Sequence, residues 1–168
     1  MTPEGALSAP EALSDRHIVD AFDSGEQALD HWLRRHAKAN QITGASRTFV
    51  VCRGANVIAY YALAAGAIAS NEAPGRLRRN MPDPIPVIVL GRLAVHRAEQ
   101  RQRLGSLLLR DATLRTYQVA QAAGIAGILV HAISEDAKRF YQRWGFVECP
   151  SNAFTLVARM KDLDALLA

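Results

Sequence analysis

Two stretches of this chain hold residue types that can do chemistry: Pro86–Leu109, PVIVLGRLAVHRAEQRQRLGSLLL, and Phe140–Phe146, FYQRWGF. An apolar run ends at Val95, a segment crowded with Arg and Gln follows, and Leu104-Gly105 opens an apolar-periodic helix. A strand feeding a loop whose backbone N–H groups point outward at a helix N-terminus is a ready anion site. The Tyr141 phenol, with an ordinary pKa near ~10, is protonated at neutral pH and suits a general acid rather than a base. Together they suggest a phosphate-bearing ligand with a proton donor beside it.

The elements that must position these groups are readable from periodicity. Ser24-Gly25-Glu26-Gln27 reads as a capping box with Ser24 as N-cap. Ala28, Leu29, Trp32, Leu33, His36 and Ala37 recur at helical spacing, so a helix runs to about Asn40. Thr48–Cys52 and Asn56–Ala64 are β-branched and aromatic runs joined by Arg53-Gly54-Ala55, a hairpin. Residues 70–86 hold four Pro, two Asn and three Arg and read as a loop. Val87–Val95 is nearly all apolar and should be a central strand. Leu104 to Ala123 keeps a helical face ended by Gly124 at a C′ position. Ile125–Ala132 is a second buried strand, so a right-handed crossover and one parallel pair follow. Glu135–Trp144 is a helix stopped by Gly145, and Phe154–Met160 is a last strand. The fold class is therefore a mixed α/β sheet flanked by helices.

Composition narrows the setting. The 168 residues suit one domain with residues 1–15 as an irregular leader, and nearly half are apolar. No apolar run is long enough to span a membrane, and the N-terminus lacks the basic region of a secretory signal. Cys52 and Cys149 have no metal-ligand spacing, which fits a reducing cytoplasm. The five histidines form no ligand motif, so no metal is expected. The net charge of +4 is concentrated in Arg34, Arg35 and Lys38, in Arg76, Arg78 and Arg79, and in Arg97, Arg101 and Arg103. Such clusters are either solvated faces or contacts for a polyanion, and Arg over Lys favours planar phosphate recognition. Arg92, inside a buried strand, must either pair or line a pocket.

LGRLAV, the segment Gln100 to Gly105 and FYQRWGF together resemble the GNAT superfamily of acyl-CoA N-acyltransferases. FDSGEQALDHWL, GASRTFVVC, YYALAAG and LRRNMPDPIPVIVLGRLAV further resemble the GNAT toxins of bacterial type II toxin–antitoxin pairs, which acetylate the amino group of aminoacyl-tRNA. The likeness spans roughly residues 15–160.

That resemblance implies a GNAT fold, with a mostly antiparallel sheet and a splayed central parallel pair. It implies acetyl-CoA as cosubstrate. Backbone N–H groups of Leu93 and Val95, with Ala94 in the same wall, would polarise the thioester carbonyl. The turn Gln100, Arg101, Gln102, Arg103, Leu104, Gly105 and Ser106 would take the pyrophosphate, and Ser134 would hold the pantetheine arm or the loop. Tyr141 would protonate the leaving thiolate. Arg34, Arg35, Lys38, Arg76, Arg78, Arg79 and Arg92 are the candidate tRNA contacts. The loop departs from the family's Gln/Arg-x-x-Gly-x-Gly/Ala pattern at Arg103, which stands at the first Gly, and Arg101 stands where many relatives also use Gly. A side chain at Arg103 is expected to need a negative φ, or else its guanidinium pairs with a phosphate; a distorted loop is the other outcome. The implied partners are a ribbon-helix-helix antitoxin, operator DNA reached through that complex, and a second copy of the chain as a homodimer. Alternatives are acetylation of a small amine or protein N-terminus, or a non-catalytic GNAT-fold binding module.

Overall fold

The computed structural model describes residues 5–168. In chain order the elements are β1 (Glu11–Ala12), α1 (Gln27–Arg35), α2 (Ala37–Thr43), β2 (Arg47–Arg53), β3 (Asn56–Ile68), α3 (Gly75–Arg78), β4 (Ile85–Val95), α4 (Leu104–Ala122), β5 (Gly127–His131), α5 (Glu135–Arg143), β6 (Val147–Cys149), β7 (Asn152–Arg159) and α6 (Asp164–Leu167). The strands form one sheet in the order β1-β2-β3-β4-β5-β7-β6. β1–β2, β2–β3, β5–β7 and β6–β7 pair antiparallel, and β4–β5 is the expected parallel pair. No described helix is long and apolar enough to cross a membrane. The chain divides into two compact units, residues up to Ala64 with Arg92–Leu109, and Ala65–Gly91 with Arg110–Ala168.

In the first unit the hairpin β2–β3 packs beneath α1. Tyr60 is fully buried, its hydroxyl donates to the Leu29 carbonyl at 2.6 Å, and its ring stacks on Trp32 with Phe22 edge-on. Three sequence expectations change here. The capping box does not form: Glu26 is the N-cap, and the buried Asp30 carboxylate accepts from the Ser24 hydroxyl at 2.6 Å and the Ser24 N–H at 3.0 Å. An ionised carboxylate is a stronger acceptor than the Gln27 amide. The helix expected to run unbroken to Asn40 breaks at His36, φ −124°, and its second half ends at Gly44, φ 80°. The leader is not wholly irregular, because Glu11 and Ala12 pair with Val50 and Phe49. The edge of β2, which would otherwise be left open, explains that pairing.

In the second unit β5 sits between β4 and β7. Gly127 is required there, since a Cβ would lie 2.1 Å from the Ala158 carbonyl oxygen. Ile68, Leu77, Ile85, Val87, Leu129 and Val157 form one apolar cluster. α5 begins at Ser134, whose Oγ accepts from the Ala137 N–H at 3.1 Å, and is stopped at Gly145, φ 99°. Gly124 is not in the left-handed conformation, so α4 ends without the expected glycine cap. β6 was not legible, being three residues long with Glu148 at its centre. The loop at 70–86 carries a short helix, α3, and β4 starts at the buried Ile85 rather than at Val87.

Candidate active site

β4 pairs β5 only from Ile88 to Leu90 and then continues to Val95. The direction of its last N–H groups follows from alternation along a strand. The N–H of His96 donates to Ile58 of β3 at 2.8 Å, so those of Leu93 and Val95 lie on the opposite edge. The Val95 carbonyl on that edge is taken by a side chain, the Gln100 amide, at 2.9 Å. Two polar backbone N–H groups therefore face the edge where β4 has no paired β5 residue.

The following turn is pinned from several sides. Gln100 Nε2 also donates to the Ser24 carbonyl at 3.0 Å. Arg53 grips the Glu99 carboxylate through Nε at 2.6 Å and Nη2 at 2.9 Å, which holds that carboxyl below its ordinary pKa. His96 Nδ1 accepts from the Ala98 N–H, and Arg97 pairs with Asp23 at 2.9 Å. Gln100 and Glu99 thus act on the loop's shape, with Gln100's amide spent on backbone carbonyls.

Arg101 and Arg103 both hold positive φ, 71° and 61°. This corrects the expectation of a negative φ at Arg103: the left-handed backbone persists with side chains where glycine is the unstrained choice. Each such residue costs about 1 kcal/mol or more. Both side chains are exposed. The Arg103 carbonyl accepts from the Leu107 N–H at 3.1 Å, so Arg103 caps α4. The N–H groups of Leu104, Gly105 and Ser106 are then first-turn donors without intrahelical partners, at the positive end of a helix of 19 residues.

Tyr141 lies on α5 and is 7% exposed. Its ring meets Phe140 and Phe146 edge-on, at 5.2 and 5.4 Å between centroids. Burial raises the phenol above its ordinary pKa, which keeps the proton on and supports an acid's role. Its hydroxyl bonds to no described residue.

Residues 44–148 match the acetyltransferase (GNAT) domain. The chain belongs to the GNAT acetyltransferase family. It is 51% identical over 160 residues to a tRNA-acetylating toxin of Mycobacterium tuberculosis (strain ATCC 25618 / H37Rv), over 95% of this chain and 96% of that protein. Among solved structures, AtaT complexed with acetyl-methionyl-tRNAfMet aligns at a TM-score of 0.88 and 29% identity, over 97% of this chain and 100% of that one. A tyrosine-to-phenylalanine variant of AtaT, bound to the C-terminus of the antitoxin AtaR and acetyl-CoA, aligns at 0.81 and 29%, over 96% and 97%.

The cations of this GNAT chain fall into two groups. Arg34 donates to the Phe22 carbonyl at 2.8 Å and Lys38 to the His17 carbonyl at 3.0 Å, so both brace their own unit. Arg92 lies over the Trp32 ring at 4.4 Å, a cation–π contact that answers how its charge is kept in the strand. Arg35, Arg78 and Arg79 are exposed with no ion pair among the described residues, and Arg76 stands 3.9 Å from Asp162. Arg76 and Arg79 line a cavity of about 600 Å³ together with Lys161, which sequence reading missed because it lies in the far C-terminal turn. Ser134 serves as the α5 cap already described.

The GNAT chain brings Glu11, His17 and Cys52 within 4.8 Å of one another, a set that spacing along the chain did not reveal. The donors do not suit a metal. His17 Nδ1 accepts the Ser14 N–H at 2.9 Å, so Nε2 carries the proton toward Glu11 and no imidazole lone pair is free. Burial pushes the Cys52 thiol up to about 11, against thiolate formation.

Proposed function

We propose that this chain transfers the acetyl group of acetyl-CoA to the α-amino group of an aminoacyl-tRNA and so blocks translation. The observation that carries the reading is the 51% identity, over nearly the whole of both chains, to a tRNA-acetylating toxin. Acetyl-CoA supplies an activated acyl group and a thiolate leaving group. The first-turn N–H groups of Leu104, Gly105 and Ser106, with Arg101 and Arg103, bind its pyrophosphate, the fit being supported by the retained left-handed turn. Leu93 and Val95 donate backbone N–H groups to the carbonyl oxygen as it gains charge. Tyr141 gives its proton to the departing thiolate.

Arg35, Arg78 and Arg79, together with Arg76, contact tRNA phosphates. A basic surface of this kind also attracts the disordered C-terminal tail of a ribbon-helix-helix antitoxin, through which operator DNA is bound. The protein works in the cytoplasm, where its tRNA substrate is, as a homodimer, with no metal.

The test is incubation of the protein with labelled acetyl-CoA and total charged tRNA, followed by identification of the acetylated aminoacyl esters. Label on the α-amino group of at least one aminoacyl-tRNA is expected. Label on none overturns the reading.

A further inference from the structure

The second unit carries a cavity of about 470 Å³ that none of the residues assigned above lines. Its floor is aliphatic, from Val89 and Leu129, and its wall holds His131 and Thr155, directly paired across β5 and β7. The floor is fixed in shape. A Cβ on Gly66 would come within 2.6 Å of Val89 Cγ2, so strand and side chain already touch. No Arg or Lys lines it, and its one carboxylate is that of Glu72. The size suits a small organic group, and the sign of the charge suits a cation. The cavity lined by Arg76, Arg79 and Lys161 carries the opposite sign and suits phosphate.

We infer that this cavity receives the aminoacyl end of the tRNA and that His131 takes the proton from its α-ammonium group, a proposal that rests on the aminoacyl-tRNA reading above. His131 ends β5 with its ring exposed, and Nδ1 lies 3.1 Å from Thr155 Oγ1. With Nδ1–H donated to that oxygen, Nε2 carries the lone pair. The other titratable groups lining the cavity are Glu72 and Cys149, and burial raises the Cys149 thiol, which stays neutral. Glu72 attracts the ammonium, and the Nε2 lone pair of His131 accepts its proton.

The protons balance. His131 Nε2 takes one from the ammonium and passes it to solvent. The freed nitrogen lone pair forms the C–N bond as the C–S bond breaks. Tyr141 protonates the thiolate, and the second proton leaving the nitrogen restores the phenol through solvent. Thr155 is a positioning residue, since it acts through the imidazole tautomer.

The experiment compares wild type, His131→Gln and Thr155→Val as full-length protein, measuring kcat and the KM for acetyl-CoA against pH with charged total tRNA. His131→Gln should lower kcat at pH ~6.5 by about 10²-fold, with the acetyl-CoA KM within about twofold and the melting temperature unchanged, because the side chain is exposed. The deficit should shrink above pH ~8, where an α-amine is already neutral. Thr155→Val should give a smaller loss with the same pH shape. If wild type acetylates aminoacyl-tRNA and His131→Gln matches it at pH ~6.5, this proposal alone is overturned. If wild type acetylates none, the reading beneath it falls as well.

Discussion

Arg101 and Arg103, two residues apart, both hold the left-handed backbone at the entrance to α4, with φ of 71° and 61°. The turn keeps a glycine-like path while presenting two guanidinium groups at a helix N-terminus. The turn thus combines backbone strain with two positive charges at a helix N-terminus, an arrangement that suits an anion.

That strain is measurable at Arg103. Arg103→Gly removes the strain but lets the unfolded chain gain entropy, so a melting temperature equal to wild type or up to about 3 °C higher is expected. Arg103→Val puts a β-branched side chain at positive φ and should lower it. Calorimetric melting of both variants decides the matter; equal destabilisation by Gly and Val would show that the residue does not hold this φ in solution. In titrations with acetyl-CoA, both variants should weaken binding by similar factors, since both lack the guanidinium.

Gln100 gives a second test. Its amide donates to Val95 at 2.9 Å and Ser24 at 3.0 Å, joining the end of β4 to the segment before α1. Gln100→Ala should cost about 1–2 kcal/mol of stability and weaken acetyl-CoA binding through a loosened turn. Gln100→Glu should be worse, because a carboxylate would face two carbonyl oxygens. Chemical denaturation ranks the three proteins, and a Glu variant as stable as wild type would contradict the clamp.

Much of this architecture was legible because it depends on local patterns. The alternating and apolar runs marked β2, β3, β4 and β5, and Gly145 marked the end of α5 by its φ of 99°. What failed depended on contacts that no local pattern marks. Asp30 displaced Gln27 at the cap of α1 because a buried carboxylate lay within reach. Glu11–Ala12 became a strand only because the edge of β2 was open. The candidate site divides the same way. Tyr141 and the Gln100–Ser106 turn were marked by motifs, whereas the place of Lys161 beside Arg76 and Arg79 and the pairing of His131 with Thr155 required the fold to bring separate strands and turns together. The φ of Arg103 was misjudged because a propensity argument cannot see how firmly Gln100 and the Arg53–Glu99 pair hold the turn.

Tyr141→Phe isolates the phenol proton. The hydroxyl bonds to no described residue while the ring packs on Phe140 and Phe146, so stability should change by less than about 1 kcal/mol. Loss of a positioned acid should lower kcat by about 10²–10⁴-fold with acetyl-CoA affinity retained. Because burial raises the phenol's pKa, the wild-type rate should not fall through deprotonation of this group up to pH ~10. A variant with wild-type kcat would remove Tyr141 from the mechanism.

The Arg53–Glu99 pair predicts how the turn responds to acid. Hydrogen bonding to Arg53 lowers the Glu99 carboxyl from its ordinary 4.5, so its contribution is complete above that pH and is lost as pH falls through the lower folded value. Glu99→Gln should therefore cost up to about 1 kcal/mol at pH 7, and the difference from wild type should shrink when the pH is taken well below the ordinary 4.5. Melting curves at the two pH values check the sign; a gap that widens in acid would refute it.

The exposed cations separate by salt. Arg78 and Arg79 have no ion pair among the described residues, whereas Arg34 is tied to the Phe22 carbonyl at 2.8 Å. If the first two neutralise tRNA phosphates, Arg78→Ala with Arg79→Ala should weaken tRNA binding and reduce the slope of log affinity against log salt by between about 1 and 2. Arg34→Ala should instead act on stability, by removing a charged hydrogen bond worth about 1–2 kcal/mol, and leave that slope nearly unchanged. Filter binding at several salt concentrations, beside thermal melts of the same proteins, distinguishes the two roles. An unchanged slope in the double variant would move the phosphate contacts away from α3, toward the turn that Arg101 and Arg103 build.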